Sequence, residues 1–202
     1  MPEKVVFTQR NITRMPQQQK IIIISGPSGS GQDSVIAGLQ PDIDFVKVVT
    51  TASRPRRSTE VEGKDYYFIS QEEFERKIKA GEMVEWEKQA DGQYKGMSHV
   101  GVADALKQGK LVLMKLDWKG VQSAKKIYPH VFAIGIQVPD PETARKRLEA
   151  RAQDAKEVIE RRMKAIHDWN YGAYDVVIVN EDNKLDQTIA KVKKHIKNYL
   201  AA

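Results

Sequence analysis

The stretch IIIISGPSGSGQDSV, residues 21–35, carries an apolar run into a glycine-rich turn and on into a helix-like segment. Gly26 and Gly31 take the two glycine positions of the G-x-x-x-x-G-K-[ST] phosphate loop. Such a loop holds an anion in two ways. Its glycines let successive backbone N–H groups turn inward, in front of the positive end of the helix behind them. Its lysine then adds a full charge at the outer phosphates. Gly26, Gly29 and Gly31 permit the turn, and Ser28, Ser30 and Ser34 bring hydroxyl donors. Gln32, however, stands in the place of the lysine, and Asp33 in that of the metal-binding hydroxyl. One positive charge is lost and one negative charge gained. At an effective dielectric of about 20, unit charges about 4 Å apart interact by roughly 4 kcal/mol. About 1.4 kcal/mol is a factor of ten in rate, so the loss is serious unless another cation restores it. Asp33 offers one offset, because a carboxylate suits magnesium. The competing reading is a plain glycine-rich turn between strand and helix.

A second candidate lies in TTASRPRRSTEVEGKDYYF, residues 50–68. Arg54 and Arg57, followed by Glu60 and Tyr66, could clamp a small phosphate dianion, since guanidinium offers planar paired donors. A solvated basic loop would look similar. Arg151 and Arg162 are separated by about three helical turns if their helix is continuous. A break near residues 152–154 would let them converge on a transferring phosphoryl group, where positioning and charge neutralisation are the chemistry. The same arginines also suit a salt-bridged surface helix, with Glu149, Glu157 and Glu160 as partners. Glu85, between Val84 and Trp86, is either an exposed strand residue or an acceptor for two adjacent donors. His99, His130, His167 and His195 are too scattered for a metal cluster.

The elements that must position these residues follow from the apolar pattern. Ile21–Ser25 reads as a strand buried on both faces. Phe45–Thr51 reads as a second strand and Tyr66–Ile69 as a short one. Ser70, with Glu73 in a capping box, starts a helix that ends near Gly81. Met83–Lys88 and a segment around Tyr94 form a strand pair joined by ADGQ. Helices follow at Val102–Gln108 and Trp118–Ile127, with strands at Leu111–Asp117 and Val131–Gln137. Pro141–Ile166 is helical and dense in charge. A strand at Tyr174–Val179 and a helix at Leu185–Leu200 close the chain. Alternating strands and helices predict an α/β fold with a parallel sheet covered on both faces, and ligands beyond the carboxyl ends of its strands.

The 202 residues suffice for one domain with a real core. The net charge of +6 suits polyanionic ligands; charge alone argues for nucleic acid, and nothing else does. The absence of cysteine removes disulfides and thiolate metal sites and fits a reducing, cytoplasmic location. No apolar run approaches membrane-spanning length. Residues 1–19 read as a polar extension without a secretion signal.

With these motifs in hand, the chain from Lys20 onward resembles the guanylate kinase family, P-loop nucleoside monophosphate kinases. Thr50, Arg54, Arg57, Glu60, Gly63, Asp65 and Tyr66 match every place of its S/T-x-x-x-R-x-x-R-x-x-E-x-x-G-x-D-Y pattern. GEMVEWEK, LDWKGV, RLEARAQDAKEVIERR and DVVIVNED add to the likeness. The resemblance implies a P-loop kinase fold in residues 20–202: a core of 20–49, 97–140 and 164–202, a small mixed GMP-binding lobe of 50–96, and a helical lid of 141–163. It implies transfer of a phosphoryl group from ATP to GMP with magnesium, by a monomer or homodimer. Arg54, Arg57 and Tyr66 would hold the GMP phosphate. Thr50 and Glu85 would read guanine. Arg151 and Arg162 would close over the transferring group, Asp117 would lie near metal and acceptor, and Asn180 near the ATP base.

The chain also departs from the family. Tyr94 fits the first tyrosine of a Y-Y-G-[ST] pattern, but Lys95 replaces the second and Met97 the guanine-contacting hydroxyl; Ser98, one step later, carries the nearest hydroxyl. Lys115 stands where the family has an acid. Strand alternation puts Lys115 on one face with Asp117. Lys115 or Lys95 could therefore supply the charge missing at Gln32; alternatively, Lys115 pairs only with Asp33 or Asp117. Two other functions stay open: a guanylate kinase-like module that binds without catalysis, and a kinase of another phosphorylated small molecule.

Overall fold

Four consecutive isoleucines explain the centre of the molecule. In a strand they point alternately to opposite faces, so Ile21–Ser25 (β1) needs cover on both sides, and all five residues are buried. The structure, a computed structural model, describes residues 20–58, 60–88, 92–150 and 155–202. The sequence-predicted extension, 1–19, lies outside them.

β1 is the middle of a five-stranded parallel sheet ordered β2-β7-β1-β8-β9, with β2 at Phe45–Lys47, β7 at Leu111–Lys115, β8 at Phe132–Gln137 and β9 at Val176–Val179. On one face Ile21, Ile23, Val112 and Met114 pack with Val102 and Leu106 of α3 (His99–Leu106) and Val121 and Ala124 of α4 (Trp118–Ile127). On the other, Ile22, Ile24, Leu113 and Ile134 meet Val35 and Leu39 of α1 (Gln32–Leu39) and Val192 and Ile196 of α7 (Leu185–Ala201). Each fully buried isoleucine contributes roughly 1.5–3 kcal/mol, which anchors the strand that carries the glycine loop.

A second sheet, β4-β3-β6-β5, is mixed. β3 (Thr50–Ala52) runs parallel to β4 (Tyr66–Phe68) and antiparallel to β6 (Tyr94–Ser98), and β5 (Met83–Lys88) pairs antiparallel with β6. The strand expected at Phe45–Thr51 is therefore two strands in two sheets. The chain leaves the first after Val48, whose amide still bonds Leu113 O at 2.9 Å. No glycine or proline marks the crossing, which is why the apolar pattern runs through it. Between β4 and β5, α2 (Gln71–Lys79) starts at Ser70, whose Oγ accepts from Glu73 N at 3.1 Å, and stops before Gly81 at φ 65°. Buried Phe74 stacks on Tyr94 at 5.3 Å and joins this sheet to α2.

The helical stretch expected at Pro141–Ile166 is two helices, α5 (Pro141–Ala150) and α6 (Lys156–His167). Arg145 of α5 donates to Glu160 of α6 at 2.5 and 3.1 Å, and Leu148 packs on Ile159 and Met163. Arg151 and the expected break at 152–154 lie outside the described residues. Among the described residues, no helix is long and apolar enough to cross a membrane.

Candidate active site

The glycine loop sits at the carboxyl end of β1, where all five parallel strands end on the same edge. A Cβ at Gly26 would come within 2.4 Å of Ile136 O, so only glycine lets the loop lie against β8. Gly29 and Gly31 have φ of 82° and 84°, a left-handed conformation that glycine adopts without strain. Gly31 is the N-cap of α1, and no side chain caps that helix. Its first-turn amides, which have no partner inside the helix, are left to face an anion. Two side-chain atoms of the loop are buried without a partner, Ser30 Oγ and Gln32 Oε1. The first can donate to a ligand oxygen; the second is an acceptor where the motif normally places a cation.

The loop is braced from behind. Asn180 Nδ2 donates to Ser30 O at 2.8 Å, and Thr188 Oγ1 donates to Asn180 Oδ1 at 3.0 Å. Asn180 is thereby placed against the loop backbone, with both ends of its amide engaged. Arg147 donates to Gly29 O at 3.2 Å, to Asn180 O at 2.9 Å and to Asp182 at 2.6 Å. Sequence reasoning passed over Arg147, because nothing distinguishes it from the other arginines of a basic helix.

Lys115 ends β7, directly opposite Ile24 of β1 in the register. Its ammonium donates to Asp33 Oδ1 at 2.6 Å. The pair is open to water, with side chains 33% and 62% exposed. Exposed ion pairs contribute only about 0.2–1 kcal/mol, so a more highly charged anion can take the ammonium from Asp33. The magnesium that the resemblance implies meets a poor donor set here. A dication on Asp33, about 4 Å from this ammonium, would be repelled by roughly 8 kcal/mol at an effective dielectric of about 20, twice the unit-charge value. Among the described residues, no group of three or more His, Asp or Glu could hold a metal by itself, so a magnesium ion here would be held chiefly by the phosphates it arrives with. With Lys115 on Asp33, these residues do not fit a divalent ion held by the protein.

The mixed sheet gathers the second group. Glu60 accepts from Arg54 at 2.7 and 2.5 Å and from the Arg57 amide at 2.9 Å. These bonds, Arg54's first, hold the Glu60 carboxyl at about 2. The Arg54 guanidinium lies 5.3 Å from the Tyr66 ring centre and 5.4 Å from that of Phe68, and Lys95 Nζ lies 5.4 Å from Tyr66. Thr50 pairs with Tyr66 in the register, and Lys95 with Ala52, so two β3 neighbours bring these side chains together. Tyr94 and Ser98 are occupied elsewhere. Tyr94 is buried with Phe74 and donates to Glu75 at 3.3 Å; Ser98 caps α3 by accepting from Gly101 N at 3.1 Å.

Between β5 and the start of α4 lies a cleft of about 390 Å³, lined by Glu85, Trp86, Lys88, Asp117, Lys119 and Ser123 among others. Asp117 is the N-cap of α4 and accepts from Gly120 N at 2.6 Å. A Cβ on Gly120 would stand 3.2 Å from both Glu85 Cγ and Asp117 Oδ1, so this glycine makes room for two acids side by side. Burial, then the charges of Asp117 and Glu87, push the Glu85 carboxyl up to about 7. A ligand with two adjacent donors would relieve it. Arg162 is half-buried on α6.

Comparisons with known proteins identify the family. A family model described as guanylate kinase matches residues 18–199. The guanylate kinase of Idiomarina loihiensis is 38% identical over 176 residues, 85% of this chain and 83% of its own. That of Haemophilus influenzae is 40% identical over 170 residues, 82% of each chain. The crystal structure of guanylate kinase from Anaplasma phagocytophilum matches with a TM-score of 0.64 at 27% identity, over 91% of this chain and 87% of that one. This chain belongs to the guanylate kinase family of nucleotide-binding kinases and has its P-loop kinase fold.

Proposed function

We propose that this protein transfers the terminal phosphoryl group of ATP to GMP, giving ADP and GDP. The observation that carries the reading is the acceptor clamp: Arg54 fixed by Glu60 against Tyr66, with Lys95 on the same ring. Two cations converged on a phenol suit a phosphate dianion such as that of GMP.

The GMP phosphate would lie among Arg54, Arg57, Tyr66 and Lys95. Its base would enter the cleft, where ionised Glu85 accepts from guanine N1–H and the exocyclic amine, with Thr50 at the base edge. An oxygen of the GMP phosphate attacks the γ-phosphorus in line. The bond from that phosphorus to the β–γ bridging oxygen breaks, and its electron pair leaves with ADP. No side chain becomes covalently attached; positioning and charge neutralisation lower the barrier. On the donor side, the α1 amides and the Gly26–Gly31 backbone hold the phosphates. Arg162, with Arg151, would come over the transferring group when residues 141–163 close as a lid on the GMP lobe, residues 50–96.

The test is a coupled assay of GDP formation from ATP in magnesium buffer, with GMP, AMP and a ribose phosphate as acceptors. GDP formation restricted to GMP supports the reading, and turnover of another acceptor replaces it with a kinase of that molecule. One observation favours a second reading, a module that binds nucleotide without turnover: Gln32 leaves the loop without its own cation. GMP binding with no product would select it.

A further inference from the structure

The glycine loop lacks a lysine, yet an ammonium stands beside it. Of the two lysines that could restore the charge, the structure separates their places. Lys95 lies over Tyr66 in the mixed sheet, beside Arg54. Lys115 ends the strand adjacent to β1 and rests on Asp33, in the first turn of the helix whose uncapped amides face the loop. We propose that Lys115 is the cation that meets the donor's outer phosphates, and that it does so in place of a divalent ion held by the protein, so that polyphosphate binds this loop without a metal.

Three features make the pair suited to this. Asp33 holds the ammonium at the mouth of the loop before any ligand arrives, which spares the ordering of a long side chain on binding. The pair is exposed enough to re-form with a stronger anion, and a triphosphate carries more negative charge than one carboxylate. The orphaned Ser30 hydroxyl gives the same loop a neutral donor still to be satisfied. Asp33 then becomes a parking place for the ammonium, and the ion pair does locally what a carboxylate and a metal would otherwise do together. This inference rests on ATP being the ligand of the loop.

Calorimetric titration of inorganic tripolyphosphate and of ATP into the full chain, first in EDTA and then in magnesium, tests it. Both ligands should bind in EDTA with a Kd within about threefold of the magnesium value. Lys115→Met should weaken binding in EDTA by about tenfold or more, the scale of one lost charge-assisted contact, and Lys115→Arg should retain most of the affinity. The double variant Gln32→Lys/Lys115→Asp should bind well only with magnesium. The inference is overturned if wild-type binding vanishes in EDTA and returns with magnesium, or if a folded Lys115→Met binds as wild type does. Should Lys115→Met fail to fold, the wild-type comparison decides alone. Measuring GDP formation on the same samples keeps the two ideas apart. Lys115-dependent, metal-free binding without GDP sinks the kinase reading only. GDP formation by a protein that ignores ATP in EDTA sinks this one only.

Discussion

The proposed acceptor clamp around Arg54 and the proposed donor loop around Gly31 are both suited to phosphate, but they hold their charge differently. In the clamp, cation and counter-ion are neighbours in one loop, joined by two hydrogen bonds, with side chains only 11% and 14% exposed. Aromatic faces of Tyr66 and Phe68 lie against the guanidinium. In the donor loop the cation comes from another strand, meets its counter-ion through one hydrogen bond, and is open to water. A bidentate guanidinium is fixed in direction as well as place, whereas an ammonium on a flexible stem behaves as a movable point charge. The clamp therefore has its recognition built in before the ligand arrives. The donor loop has fixed backbone and a cation that must change partners.

This difference predicts unequal sensitivity to mutation. Arg54→Ala removes the pre-set charge and leaves Glu60 with the Arg57 amide but without its cation. We expect kcat/KM for the acceptor to fall by about 10²–10³, the scale of losing one directed donor from a preorganised site, with ATP binding unchanged by calorimetry. Equal losses for both substrates would mean that the clamp is not specific to the acceptor.

Glu60→Gln is the next largest. It keeps the shape but exchanges a charged, two-pronged acceptor for a neutral one, so Arg54 loses orientation while staying in place. The expected loss is about tenfold to thirtyfold, mostly in KM for the acceptor, and Glu60→Asp should recover part of it. A fall confined to kcat would show that Glu60 does more than position Arg54.

Arg147→Ala addresses the loop from behind. Gly29 O and Asn180 O lose their donor, Asp182 loses its cation, and Asn180's bond to Ser30 O is left to brace the loop from behind. We expect ATP affinity to drop by about tenfold, with acceptor affinity unchanged. An unaltered ATP Kd would show that the glycines hold the loop in shape without this brace.

The same contrast explains what could be read from the sequence. The clamp is local: Arg54, Glu60 and Tyr66 come from one short segment, so their spacing offers a phosphate clamp as one reading beside a solvated basic loop, and the family resemblance favours the clamp. The strands and helices with strong period, such as Ile21–Ser25 and Trp118–Ile127, also fall where the pattern puts them. The pairing of Lys115 with Asp33 was legible only as one option of several. Strand alternation gives the face of Lys115, but which neighbour β7 has is a property of the sheet order. Arg147 was not legible at all, because its role depends on α5 approaching Gly29 and Asn180, positions far apart in the chain. The crossing after Val48 was hidden for a related reason: both sheets accept the same apolar alternation, and tertiary packing alone chooses where the chain changes sheet.

Glu85 gives an effect of the same size as Arg147, seen only across a pH range, and the most direct probe of the proposed base site. Its carboxyl is pushed up to about 7 by burial and by the charge of Asp117. Guanine offers two donors, so it needs the ionised form, and the proton must leave before GMP can bind well. GMP affinity should therefore rise with pH up to about 7 and level off above it, with about a tenfold loss from pH 8 to pH 6. The unliganded protein should show the opposite trend. A carboxyl whose pKa is higher folded than unfolded binds more protons when folded, so its contribution to stability is full below about 4.5 and is lost as pH rises through about 7. Glu85→Gln should flatten both curves, measured as the GMP Kd and the melting temperature of the ligand-free chain. If it flattens the melting curve but leaves the pH dependence of GMP binding intact, the cleft around Glu85 is a strained acidic pocket and the base is read elsewhere.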